Sequence, residues 1–199
     1  MFKNTSLYGL GLGVLMLAAG CAKYKPKPLP NMLNSTDGTE IYAYAMTSKE
    51  CKHAFSRNAK KHGLQAVHLS IANNTANDYV LDGNNLGLAI EQRSVVASTL
   101  QINTGHRVLS WAIPGFLLAG SLLLPAVYEY FACSSANKSL KNDFNARVIG
   151  SESQCNIPAG ATISKVFFTA IDRLPASMSL KLRNTETNKL EIFPVTLHR

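Results

Sequence analysis

The chain has 199 residues, of which 46% are hydrophobic and 16% charged, and it carries a net charge of +8. Apolar content this far above charge content excludes a wholly disordered chain. The hydrophobic share is ordinary, which excludes a polytopic transporter, and the length allows one domain with appendages.

Residues 1–20 read as a secretory signal: Lys3 supplies the positive start and Leu7 to Leu17 form an apolar run of 11 residues. Leu17-Ala18-Ala19-Gly20-Cys21 follows. Small residues just before a cysteine resemble the bacterial lipobox, with Ala18 standing where that motif most often has Leu. The resemblance implies cleavage between Gly20 and Cys21, diacylglycerol on the Cys21 thiol and an acyl chain on the new amino group. Two or three chains anchor stably, where one is marginal. Ala22 follows the cysteine, and by the same resemblance the absence of Asp there implies an outer-membrane lipoprotein facing the periplasm rather than an inner-membrane one. The competing readings are an ordinary cleavable signal with Cys21 incidental, and an uncleaved anchor; the run of 11 falls short of the ~20 residues a span needs. Gly9-Leu10-Gly11-Leu12-Gly13 imitates a nucleotide loop without the strand and ribose acid that would make it one.

Residues 21–39 form the expected tether. Lys23, Lys25 and Lys27 stand among Pro26, Pro28 and Pro30, a composition that favours an extended spacer holding the folded part off the bilayer. From Lys23 to Lys61 there are eight basic and three acidic side chains, so positive charge concentrates near the anchor. Nucleic acid is not an expected partner of a secreted chain, and a solvated face is the plain reading of any single lysine.

In the folded part, residues 40–199, Glu40 to Met46 alternates as a strand. Thr47 and Glu50 have capping-box spacing, opening a helix expected from Ser48 to His62 with Gly63 as its C-cap. Gln65 to Ala72 reads as a strand with Val67, Leu69 and Ile71 on one face and His68 on the solvent side. Asn73-Asn74-Thr75 marks a turn. Short strands are expected at Tyr79–Leu81 and Leu86–Gln92, then a helix from Ser94 to Asn103 with Val95, Val96 and Leu100 inward. Ala136 to Val148 has helical spacing in Leu140, Phe144 and Val148. Strands follow at Thr162–Ile171, Ser177–Arg183 and Leu190–Leu197, with Ile157-Pro158-Ala159-Gly160 as the turn before the first. Of the adjacent aromatics Phe167 and Phe168, strand alternation through Val166 and Ala170 selects Phe168 as the inward one.

Val67-His68-Leu69-Ser70-Ile71-Ala72-Asn73-Asn74, the Pro158-Ala159-Gly160 turn before Val166-Phe167-Phe168, and Leu180-Lys181-Leu182 resemble the immunoglobulin-like domains of bacterial envelope proteins. The Cys–Trp–Cys core of immunoglobulins is missing. The resemblance and the strand count imply a mainly β fold: an antiparallel immunoglobulin-like sandwich with a few peripheral helices.

An apolar insertion at about 108–131 interrupts it. Val108 to Tyr128 holds 21 residues without a charge, with Trp111 at one end and Tyr128 and Tyr130 at the other. It reads as a membrane span, as a helical hairpin broken at Pro114-Gly115 and Pro125, or as buried helices; the hairpin is expected, since one sandwich needs both flanks in one compartment. Its membrane or partner contacts would be Trp111, Phe116, Leu117, Leu118, Leu122, Leu123 and Leu124.

An oxidising envelope permits a disulfide. Beyond Cys21 there are Cys51, Cys133 and Cys155; Cys133 and Cys155 are the closest pair, and three unbonded buried thiols are the alternative. No metal-ligand spacing, HExxH or GxSxG occurs, and Cys51 and His53 point to different helix faces. No catalytic residue, metal or cofactor is expected. The chain reads as a lipid-anchored structural or protein-interaction module of the envelope, the alternative being a binder of hydrophobic small molecules or lipid.

Overall fold

Alternation over Gly38–Ala45 makes β1, and the capping box then turns the chain into α1 (Ser48–Phe55). A computed structural model describes residues 24–30, 33, 38–106, 108–109 and 123–198. The cap is complete: the Glu50 amide donates to Thr47 Oγ1 at 3.2 Å and the Thr47 amide donates to Glu50 Oε2 at 2.7 Å. The helix stops earlier than its spacing predicts, because Ser56 takes the left-handed conformation at φ 55°. A separate 3-10 turn, Ala59–His62, leads to Gly63, which at φ 73° caps that turn and not α1.

The strands that follow are β2 (Leu64–Asn74), β3 (Tyr79–Asp82), β4 (Gln154–Ile157), β5 (Thr162–Ala170), β6 (Ser177–Asn184) and β7 (Leu190–His198). Helices α2 (Arg93–Leu100) and α3 (Leu123–Arg147) lie between β3 and β4. The strands form one seven-stranded sheet in the order β4-β3-β6-β7-β1-β2-β5. Its neighbours are antiparallel except β1 and β7, which pair in parallel at Ala43↔Leu197 and Tyr44↔His198. The fold is therefore mainly β as expected, but the sheet is mixed. Turn signals set the direction of strands joined locally; β1 and β7 lie at opposite ends of the chain, and no turn relates them.

The sheet curls until it is nearly closed. β4 and β5 stand at opposite ends of the strand order, yet only residues 158–161 separate them. Asn73 holds this corner: its side-chain amide donates to Ile157 O at 3.2 Å and Pro158 O at 3.0 Å, while its Oδ1 accepts from Thr75 Oγ1 at 2.7 Å. The interior combines Val67, Leu69, Ile71 and Phe167 from one half of the sheet with Leu81, Ile157, Leu180 and Leu182 from the other.

Several expectations change. β4 is not among the strands the sequence predicts; only its last residue, Ile157, is read there, as the start of the turn. Leu86 to Gln92 is irregular rather than a strand: Gly87 adopts φ 71°, and a Cβ there would lie 2.5 Å from Ser179 O. This segment instead runs beside β5, with the Glu91 amide donating to Phe168 O at 2.8 Å and Thr169 Oγ1 donating to Ala89 O at 2.8 Å. In α2, Val96, Ala97 and Leu100 are buried, whereas Val95 faces outward. Phe167, not Phe168, points into the interior of the sheet, and both rings are fully buried. Phe168 lies against a second apolar layer on the outer face, stacked on Phe144 of α3 at 5.6 Å and tilted against Phe55 of α1 at 5.7 Å.

The chain divides into two compact units, Pro26–Leu100 with Lys141–Arg199, and Met1–Lys25 with Gln101–Leu140. The sheet belongs to the first. In the second, the expected apolar hairpin falls largely on residues outside those described. The described residues resume within α3, which includes Pro125.

Candidate functional site

Two surfaces stand out, and each is built from residues of one unit. The first is the outer face of β1, β2 and β5 beside α1. Residues 26–30 do not stand away as a free spacer. They dock as a strap: the Lys27 amide donates to His53 O at 3.2 Å, Arg147 Nη2 donates to Lys27 O at 2.9 Å, and Ser164 Oγ donates to Pro30 O at 3.4 Å. An extended proline-rich chain has carbonyls free to accept such bonds, since it makes none of its own. Between the strap, β1 and α1 lies a groove of about 720 Å³ lined by Leu29, Tyr44, Met46, Lys49, Glu50 and His53 among others.

Behind the strap is His68. It was expected on the solvent side, and it is on the outer face, but that face is covered and the residue is fully buried. Its Nε2 lies 2.5 Å from Ser164 Oγ, and the Tyr44 ring meets it edge-on at 5.2 Å. An imidazole protonated on Nε2 donates to Ser164, which leaves the serine hydrogen for Pro30 O. The Nδ1 then has no hydrogen-bond partner. Burial, aided by the Arg147 charge, lowers the His68 pKa from 6.5 to about 4. At neutral pH the folded and unfolded imidazoles are both neutral, so the shift contributes nothing. Between about 6.5 and about 4 the unfolded chain binds a proton that the folded one does not, so stability should fall as pH falls, by up to about 1.4 kcal/mol per unit. Urea melts from about pH 7 to about pH 5 should show this slope, and a His68→Gln variant should flatten it.

The second surface is on α3. Val127, Tyr128, Tyr130 and Phe131 are each more than half exposed, Phe131 at 64%, while Glu129, Cys133, Ala136 and Leu140 are buried. At about 100° per residue the two sets occupy opposite sides of the helix. The outward side is thus the aromatic one, with Tyr130 and Phe131 edge-to-face at 5.6 Å. The buried Cys133 thiol donates to Glu129 Oε1 at 3.6 Å, one turn back.

Cys51, Cys133 and Cys155 are in no disulfide, so the bridge expected between Cys133 and Cys155 is not formed in this structure. Burial pushes the Cys51 and Cys155 thiols up, which disfavours the reactive thiolate. Gly20, Cys21, Trp111, Phe116, Leu117, Leu118 and Leu122 lie outside the described residues. Leu123 and Leu124 are the first described residues of α3. Among the described residues no group of His, Cys, Asp and Glu is arranged to hold a metal, and no helix is long and apolar enough to cross a membrane.

Sequence reading missed His68–Ser164 and the aromatic side of α3, though both left a signal. The outward positions of β2 are Gln65's neighbours Ala66, His68, Ser70 and Ala72, without a charge among them, which is unusual for a wet face. In α3, laying residues 127–140 on a helix would have separated the aromatics from Cys133 and Leu140.

Comparison with known proteins finds no matching family model, no matching curated protein and no matching solved structure.

Proposed function

We propose that this is a lipid-anchored protein of the bacterial envelope that acts as a structural or protein-interaction module on an immunoglobulin-like domain. The anchor is supported by the apolar run followed by Ala19-Gly20-Cys21. The domain reading is supported by the two halves of the sheet, β1-β2-β5 and β4-β3-β6-β7, with the apolar interior between them. Immunoglobulin-like sandwiches divide their strands in this way, and β1 pairs with both halves.

The observation that carries the interaction role is the exposed aromatic side of α3. Aromatic side chains are enriched in protein contacts, and apolar patches left in water usually mark them. A photo-crosslinking residue at Phe131 should capture a discrete envelope protein in living cells, and one at Ile192, equally exposed on β7, should not. The double variant Tyr128→Ser, Tyr130→Ser should remove that adduct. Cys21→Ser should abolish incorporation of labelled palmitate and leave the precursor uncut; undiminished labelling would remove the anchor from the proposal.

A second reading, a binder of hydrophobic small molecules or lipid, draws on the groove beside the strap, whose walls include Leu29, Tyr44 and Met46. Native mass spectrometry of the purified protein separates the two: a monomer carrying lipid favours the binder.

A further inference from the structure

We propose that the α1 side of the domain, with the docked strap beside it, is the surface this protein lays against an anionic lipid bilayer. The setting rests on the lipid-anchor reading. On α1, Cys51, Ala54 and Phe55 face inward, while Lys49, Lys52 and His53 are exposed on the other side. The 3-10 turn that follows adds the exposed Lys60 and Lys61, and the strap adds Lys27. The strap belongs to this side because Lys27 is bonded to His53, and because Pro28 to Pro30 share a groove with Lys49 and His53.

Negative charge is nearly missing from this side. Glu50 is the one acidic residue from Ile41 to Asn77, and its carboxylate is engaged by Thr47. The turn Ile171–Arg173, brought alongside by the bond from the Ile171 amide to Gly63 O, carries Asp172 together with Arg173. The patch therefore keeps an unbalanced positive charge. Lysines near an anionic surface each add attraction, and that attraction fades within a screening length of about 8 Å.

The length of chain decides which surface is near. Five residues separate Cys21 from the docked Lys27, and the six steps between them reach at most about 20 Å. A free tether would let the domain tumble far from the lipid; the docked strap shortens the leash and fastens it at α1. The β6–β7 turn lies at the other end of the sheet, because β7 runs parallel to β1 and begins where β1 begins, whereas α1 follows the end of β1.

The test uses the full chain purified from envelopes and reconstituted into phosphatidylcholine vesicles with or without phosphatidylglycerol, both containing lipid spin-labelled on the headgroup. Bimane is attached at His62→Cys or, for comparison, at Thr187→Cys, with the half-exposed Cys155 changed to Ser. Quenching at residue 62 should be several-fold stronger than at residue 187, should require phosphatidylglycerol, and should collapse at about 1 M salt, where the screening length is about 3 Å. The Lys52→Glu, Lys60→Glu variant should bring it down to the level of residue 187. Equal quenching at the two sites, or quenching at 62 indifferent to phosphatidylglycerol and salt, would overturn the proposal. The mass of the N-terminal peptide reads the anchor separately. Acylated Cys21 without quenching removes the face and keeps the anchor, while quenching with unmodified Cys21 does the reverse.

Discussion

Phe167→Ala and Phe168→Ala should each lower stability by about 3–5 kcal/mol, and by similar amounts. Adjacent residues on a strand point to opposite faces, so on a half-wet sheet one of them would be cheap to remove. Here neither is. Phe167 pairs across from Val67 and sits in the sheet interior with Leu69, Ile71 and Leu81. Phe168 pairs across from Ala66, and the small side chain opposite leaves room for the rings of Phe55 and Phe144. The three rings lie within 5.0–5.7 Å of one another, so Phe168→Ala opens a hole where α1, α3 and the sheet meet. Phe168→Leu, which keeps much of the volume, should cost far less than the alanine variant. Urea melts of the three variants are the measurement. A small loss at Phe168 alone would mean that the helices do not cover the strand.

Arg147→Ala should cost about 2–3 kcal/mol and free the strap. Arg147 closes α3, where a cation opposes the partial negative charge of the helix end. Its Nη1 donates to Ala54 O at 3.0 Å and to Asp143 Oδ2 at 2.9 Å, its Nη2 donates to Lys27 O at 2.9 Å, and its guanidinium lies 5.0 Å from the centre of the Phe55 ring. The Asp143 pair contributes little, since both side chains keep some solvent. The two carbonyls matter more: one planar fork joins α1 to the strap, and a lysine has no second arm with which to do so. Arg147→Lys should therefore recover part of the stability without restoring the strap. Limited digestion with a proline-specific endoprotease reads the strap directly, because a released segment exposes the bonds after Pro26 and Pro28. If Arg147→Ala loses stability while those bonds stay protected, His53 and Ser164 hold the strap without it.

The parts of this fold that were legible in the sequence are those settled by near neighbours. Alternation placed β1, β5, β6 and β7 to within a few residues, and the spacing of Thr47 and Glu50 placed the start of α1. Gly63 and the Pro158–Gly160 turn needed nothing beyond their own backbone preferences. The same local reading is what the proposed signal and the proposed anchor at Cys21 rest on. Tertiary structure alone decided what lies on the second face of each strand. Val67, Leu69 and Ile71 look like the buried side of a half-wet β2, yet His68 and Ser70 opposite them are equally buried. A period of two says that two faces exist, not that helices and a strap from elsewhere in the chain will cover both. The parallel meeting of β1 with β7, and the proline-rich segment settling onto α1, belong to the same kind. These contacts join residues far apart in the chain, so their cost in chain entropy and their gain in buried surface are set by the whole fold, and no short window of sequence carries them.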